Sequence, residues 1–421
     1  MLLYIPFGGV VTLSLYPSPI PTLFADIFFV IPLYIGYFIY RLQARTENNI
    51  PAVFILLIAA LALLAVVQIF NPYLENILVA LIGLKVWLFY IPLVFVTASA
   101  ITSKSELISL FRFMVIVAWI PCIFGILTWI ASMTFGHTVT MEAIYGPAAK
   151  AASQNLVTFM DGVFFRIPST FTFVAQYFGF TLAMIVPAYS LMVLEDSKKW
   201  KRFSVYSLVL FSAACLMSGS RGAFVFMPLF LLIMFLLNGK FLSILKILCL
   251  VPLIGPALLL YVGIDPVSLF NLIVELLTMY ATDIVLEGFV DSLANAPLGL
   301  GTGMNTGASR YAFDDQLSFN AFENYYAKSV YEFGFLGLIL LLGLFSYIIF
   351  KGFKILHGVK DPGLKGCAAV IVAFVITMCL HSLKGWQLDM VPINTYYWIF
   401  VGSLFSIGSK NFIKHSSTLR T

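Results

Sequence analysis

The sequence predicts an all-α, polytopic membrane protein, and three observations predict it. Of the 421 residues, 61% are hydrophobic and only 10% charged, whereas soluble domains are about a quarter charged. The apolar residues come in runs of roughly 17–25, the length a helix needs to cross a hydrocarbon core about 30 Å thick. Backbone in that core must satisfy its own hydrogen bonds, which selects helices over irregular chain. Together these observations exclude a soluble globular domain, a disordered chain and a small disulfide scaffold.

Taken in order, the candidate spans are 1–16, 21–40, 51–70, 77–100, 107–131, 172–194, 203–219, 222–237, 241–262, 329–350, 366–385 and 390–408. That makes about 12 transmembrane helices. The first run is short and stops at Pro17-Ser18-Pro19, so 11 is the alternative. The N-terminus lacks the polar start and cleavage site of a secretory signal and is read as retained. Residues 1–421 are read as a single integral membrane domain. No internal repeat appears, nor the pair of interrupted helices that marks many transporters.

Alternate loops hold 17 of the 24 lysines and arginines: Arg41, Arg45, Lys104, Arg112, Lys198, Lys199, Lys201, Arg202, Lys240, Lys246, Lys351, Lys354, Lys360, Lys365, Lys410, Lys414 and Arg420. The positive-inside bias places these loops and both termini in the cytoplasm. Lys150, Arg166, Arg221, Arg310, Lys328 and Lys384 fall on the opposite face, and Lys85 lies inside a span. Two long loops belong to that face, about 132–171 and 263–328. Within the second, 267–290 is too interrupted by Glu275, Asp283 and Glu287 to span. Asp283, Glu287 and Asp291 recur every four residues, on one helical face. Both an interfacial helix and a packed loop helix with a solvated acidic face fit this pattern.

Several signals carry no chemistry. Cys122, Cys215, Cys249, Cys367 and Cys379 sit singly in apolar runs and read as small buried hydrophobes. His137, His357, His381 and His415 are scattered, so no metal and no cofactor is expected. The 299–303 stretch is glycine-rich but lacks the lysine and the strand–helix context of a nucleotide loop. No nucleic-acid partner is indicated.

The outer-face cations are more informative. Ser218-Gly219-Ser220-Arg221-Gly222-Ala223 interrupts two apolar runs and predicts a tight turn between spans. A guanidinium there suits a phosphate or diphosphate, and it equally suits snorkelling to lipid headgroups. Arg166 precedes an inward span, Arg310 lies in the second long loop, and Lys328 precedes another inward span. Three arginines from three outer segments could meet on one anionic group. Lys85 has two readings, a structural pair with Asp26 or Glu75, or a place facing a lipid-phosphate cavity. In Phe322-Glu323-Asn324-Tyr325-Tyr326-Ala327-Lys328, a carboxylate at a partly dry helix entrance suits a general base toward a hydroxyl. The alternative for Glu323 is a cap favoured by the helix dipole.

Four pieces in this order resemble the bacterial O-antigen polymerase and ligase superfamily (Wzy-like proteins and lipid-A-core ligases). They are the Arg166-led segment entering a span, the Ser218–Ala223 turn, the Asn295-Ala-Pro-Leu-Gly-Leu-Gly-Thr-Gly stretch, and Glu323-Asn-Tyr-Tyr followed by Glu332-Phe-Gly-Phe-Leu-Gly-Leu. Together they cover roughly residues 160–345. Ligases of this group typically carry a histidine where this chain has Glu323, while polymerases vary there. The resemblance implies a GT-C-like glycosyltransferase architecture in the bacterial inner membrane, with both long loops and the active site periplasmic.

It also implies polymerisation of undecaprenyl-diphosphate-linked oligosaccharide repeat units, as in O-antigen or a related surface polysaccharide, by metal-independent inverting transfer. Donor and acceptor glycans, the bilayer and a chain-length regulator are the partners it implies. Arg166 and Arg221 would hold the leaving diphosphate, with Glu323 as the base. Arg310, Lys328, Asn324, Tyr325 and Lys85 would contact substrate. Glu332 has a helix-packing reading. The alternatives are an O-antigen ligase and a lipid-linked oligosaccharide flippase or transporter.

Overall fold

The computed structural model describes residues 1–18, 20–44, 50–74, 76–159, 164–239, 270–271, 288–307 and 323–409, with 267, 274, 278, 282 and 412. Of the sequence expectations, Arg310, the span at 241–262 and most of 267–290 lie outside these residues. The described chain is helical apart from one short antiparallel hairpin, β1 (Thr158–Phe159) with β2 (Phe164–Phe165). The first half runs α1 (Gly8–Ser14), α2 (Ile31–Ala44), α3 (Ala52–Val67), α4 (Ile77–Leu88), α5 (Leu93–Ala100), α6 (Lys104–Phe135), α7 (His137–Tyr145) and α8 (Ala149–Ala152). The second runs α9 (Val174–Leu194), α10 (Lys198–Met217), α11 (Arg221–Leu237), α12 (Gly288–Asn295), α13 (Tyr325–Gly358), α14 (Pro362–His381) and α15 (Ile393–Ile407).

Among the described residues, six helices are long and apolar enough to cross a membrane: Ala52–Phe70, Ile77–Ala100, Lys104–Phe135, Val174–Leu194, Tyr325–Gly358 and Pro362–His381. The protein is therefore built as a multi-pass membrane protein. Four of them start at a polar side-chain cap, supplied by Asn76, Ser103, Asn324 and Asp361. Ser103 and Glu106 form a reciprocal cap at the start of α6, and Asp361 caps α14 ahead of Pro362. With 32 residues, α6 is about 48 Å long, more than a bilayer core requires. It ends at Gly136, whose φ of 91° turns the chain into α7.

The centre of the bundle is α9, buried along nearly its whole length and packed on α6, α10 and α14. Around it, α11 packs on α14, α15 on α5, and α13 on α3, α12 and α14. One end of the bundle gathers cationic segments. There Arg112 donates to Glu195 at the end of α9 (Nη2–Oε2 2.8 Å) and lies over Trp200, and Lys104 lies 3.9 Å from Asp361.

The apolar pattern predicts an unbroken span over 329–350, and the structure corrects this. Helix α13 is two helices joined at Gly334, where φ is 72° and ψ −172°. The break is filled by the 297–301 chain: Leu300 N donates to Tyr331 O, Gly301 N to Glu332 O, and Phe335 N to Pro297 O, at 2.8–3.2 Å. Backbone freed from the helix is thus satisfied by protein, as it must be near hydrocarbon.

Candidate functional site at the arginine-bearing end

Opposite the Arg112–Glu195 end, three segments meet. The 166–173 chain leading into α9 is pinned by side chains that reach foreign carbonyls. Ser169 Oγ donates to Pro121 O at 2.6 Å, Thr170 Oγ1 to Pro6 O, and Tyr145 OH to Ser169 O at 2.7 Å. Gly9 admits this chain, since a Cβ there would fall 2.3 Å from the backbone of Phe171. Phe165 is held by stacking on His137, with centroids 5.0 Å apart. Burial also lowers the His137 pKa.

The α10–α11 turn docks directly on this segment. Ile167 N donates to Ser218 O at 3.0 Å. Gly219 has φ 69°, and a Cβ on it would lie 2.0 Å from Phe165 O. Only glycine fits this contact, so the turn residue and the Arg166 segment specify one another. Arg221 is the first residue of α11 and is exposed. The structure therefore brings the Arg166 and Arg221 backbones together at one junction.

The third segment is the end of α14. His381 is its last residue, 3% exposed, with its ring between Phe226 (centroids 4.2 Å) and Phe178 (5.8 Å). Its Nε2 lies 3.5 Å from the point a Cβ on Gly222 would occupy, beside the first turn of α11. Lys384 follows in the turn, its N–H donating to His381 O at 2.9 Å. Next to it, Tyr325 N donates to Ser382 O at 2.8 Å, which sets the start of α13 against the end of α14. Glu323 precedes that start and is exposed. The side-chain cap of α13 is Asn324, whose Oδ1 accepts from Tyr326 N and Ala327 N at 3.0 and 3.1 Å.

The remaining predicted contacts sit in the framework. The Lys328 ammonium is fully buried, bonded to Asp389 and 3.9 Å from Glu332 Oε1. It also lies 4.6 Å over Trp87 and 5.6 Å over Tyr325. Glu332, also fully buried, accepts from Trp87 Nε1 and Gly303 N at 2.7 Å and from Asn305 N and Thr306 Oγ1 at 3.0 Å. One carboxylate thus clamps the glycine-rich 299–306 loop to α4 and α13. That loop also docks on the end of α3, through Thr302 Oγ1 to Ala65 O at 2.6 Å and Gln68 Nε2 to Leu298 O at 2.7 Å. Lys85 takes the first of its two readings: its Nζ lies 2.5 Å from Asp26 Oδ2.

Sequence reasoning missed His381 and Asp389 and read Glu332 as a packing residue. For His381 a signal was present, an ionisable group closing a 20-residue apolar run. For Glu332 the local signals were its place in the Glu332-Phe-Gly stretch and its i,i+4 spacing from Lys328, while the 303–306 loop and Trp87 that it binds lie 26–245 residues away; for Asp389, 61 residues from Lys328, there was none.

Chemically, this end offers two guanidinium-bearing segments at one junction, a helix N-terminus with its positive dipole end, and a solvent-reached carboxylate across Ser382. The set suits an anionic group and an adjacent hydroxyl. No model of a known protein family matches the chain, and no curated protein matches it.

Proposed function

We propose that this protein is a glycosyltransferase that joins lipid-diphosphate-linked oligosaccharide repeat units, as a Wzy-like surface-polysaccharide polymerase. The reading is supported chiefly by one observation: the Arg166 segment is bonded to the Ser218–Arg221 turn at the end of the bundle where Glu323 is exposed. In this reading a sugar hydroxyl of one lipid-linked repeat attacks the anomeric carbon of another. A new C–O bond forms and the bond to the diphosphate breaks, its electron pair leaving on the diphosphate oxygen. The hydroxyl proton passes to Glu323, and the anomeric carbon inverts.

Arg166 and Arg221, joined by Arg310, hold the diphosphate and stabilise the charge it gains. Asn324 and Tyr325 fix the start of α13 and with it Glu323, while Lys328 and Lys85 hold the surrounding framework. The architecture is GT-C-like with about 12 spans, set in the bacterial inner membrane. The arginine-bearing end is periplasmic, and undecaprenyl-diphosphate glycans are donor and acceptor. A chain-length regulator acts beside it.

The test is a glycan ladder from cells carrying R221A or E323Q. Each is expected to lower polymer on the order of a hundredfold, the usual worth of an oxyanion donor or a general base, at normal protein levels. Normal ladders in both variants would refute the assignment.

The broken helix α13 with its buried Lys328, Glu332 and Asp389 favours a second reading, a lipid-linked oligosaccharide transporter. Deletion would then accumulate cytoplasm-facing lipid-linked sugar, whereas loss of a polymerase leaves surface lipid carrying single repeats.

A further inference from the structure

We propose that the outer face of α10, at the Arg112–Glu195 end of the bundle, binds an acidic phospholipid. Lys198, Lys201 and Arg202 hold its headgroup, and its acyl chains lie along the apolar stripe that continues the same face. The site is at the opposite end of the molecule from the arginine junction and takes a different ligand, so it does not rest on the glycosyltransferase assignment.

Helix α10 opens with Lys198-Lys199-Trp200-Lys201-Arg202, and all four of its cations are exposed. Lys198 is three residues from Lys201 and four from Arg202, so like charges crowd one side of the helix and repel one another. The first turn contains no acid. Nearby acids are engaged elsewhere: Glu195 by Arg112, Glu106 in capping α6, and Asp361 in capping α14 beside Lys104. Asp196 is exposed just ahead of the run. Among the described residues, none of the four cations forms an ion pair. A bias that only orients the chain is met by cations anywhere in a loop. It does not require them stacked on one side of an ordered helix, where an anion from outside the protein relieves their repulsion.

The rest of that side indicates which anion. At 3.6 residues per turn, Val205, Tyr206 and Val209 continue the line of Lys198, Lys201 and Arg202. They are 44%, 63% and 66% exposed. In a multi-pass membrane protein such a stripe meets acyl chains, which sets cations one turn beyond it at headgroup level. A ligand that uses both is an amphiphile with a negative head; a free phosphate would leave the stripe unused. The opposite side of the helix is fixed. The Arg112 guanidinium lies 4.5 Å over the Trp200 ring, and Trp200 meets Phe203 edge-on. Phe203 stacks on Trp119, whose Nε1 donates to Ser207 Oγ at 2.8 Å. The cations therefore project from a turn held in place, beside a tryptophan of the kind that collects at membrane interfaces.

The test places full-length protein in phosphatidylcholine nanodiscs containing either brominated phosphatidylglycerol or brominated phosphatidylcholine. Y206W sets a tryptophan on the stripe, and its fluorescence is read as the difference from the parent protein. Brominated phosphatidylglycerol is expected to quench this added signal with an association constant on the order of fivefold above that of brominated phosphatidylcholine, the worth of one cation at an acidic surface. Adding K198Q, K201Q and R202Q should abolish the preference at unchanged melting temperature. Adding K351Q and K354Q, which removes cations from the end of α13, should leave it intact. High salt should lower the preference in Y206W itself, a measurement that depends on no further variant. Equal quenching by the two lipids, a preference unchanged in the folded K198Q/K201Q/R202Q protein, or one indifferent to salt overturns the site. Inorganic phosphate should compete no better than chloride at equal ionic strength; stronger competition identifies a free-anion site and overturns the lipid.

Discussion

At the scale of single residues, the arginine-bearing end depends on contacts with no slack. Gly219 is the sharpest case, because its positive φ and its 2.0 Å Cβ gap to Phe165 O both exclude a side chain. G219A is expected to push the Arg166 segment off the α10–α11 turn and to destabilise the protein by roughly 1–3 kcal/mol. It should reduce the glycan ladder as strongly as R221A does; a normal ladder and melting temperature would contradict this. Glu332 is the second case. E332A leaves the donors of Trp87, Gly303, Asn305 and Thr306 without their acceptor beside a buried Lys328. The expected loss is on the order of 3–5 kcal/mol, seen as aggregation or a large fall in melting temperature. A wild-type melting curve for E332A would refute the clamp.

At the scale of elements, the break in α13 and the corner between α6 and α7 do the positioning. A glycine within an apolar run reads as helix, so the interruption at Gly334 was illegible until the 297–301 chain was seen filling it. The start at Pro362 is set by a local cap, Asp361, four residues ahead of where the apolar run read from the sequence begins. At the corner, His137 is buried against Phe165 with a lowered pKa. As pH falls below about 6.5, the ordinary histidine value, the unfolded chain takes up a proton that the folded ring resists. Stability is therefore complete above that pH and lost below it. Melting temperatures between pH 7.5 and 5.5 should fall less steeply for H137F, which keeps the stack and cannot titrate. Equal slopes would show that another group carries the dependence.

At the scale of the whole molecule, charge is sorted between the two ends of the bundle. Lys104, Arg112 and the Lys198–Arg202 run gather around Glu195 and Asp361, while Arg166, Arg221 and Lys384 gather at the other end. In the proposed topology, which rests on the positive-inside bias, Glu323 faces the periplasm and Lys199 the cytoplasm. A membrane-impermeant maleimide added to intact spheroplasts should therefore label E323C and spare K199C. The reverse pattern would invert the topology.

By itself the sequence determined that this chain lives in a membrane, roughly where its helices run, and which cations stand apart from the orienting set. Those properties are local, since hydropathy and capping act over a single turn or span and can be read along the chain. Only the tertiary structure decided that Arg166 and Arg221 share a junction, that Lys328 and Lys85 are held by Asp389 and Asp26, and that His381 stands beside the first turn of α11. Each of these joins residues 50 or more positions apart. Such partners are chosen by how helices pack, and no periodicity along one helix encodes which side chain a neighbouring helix will present.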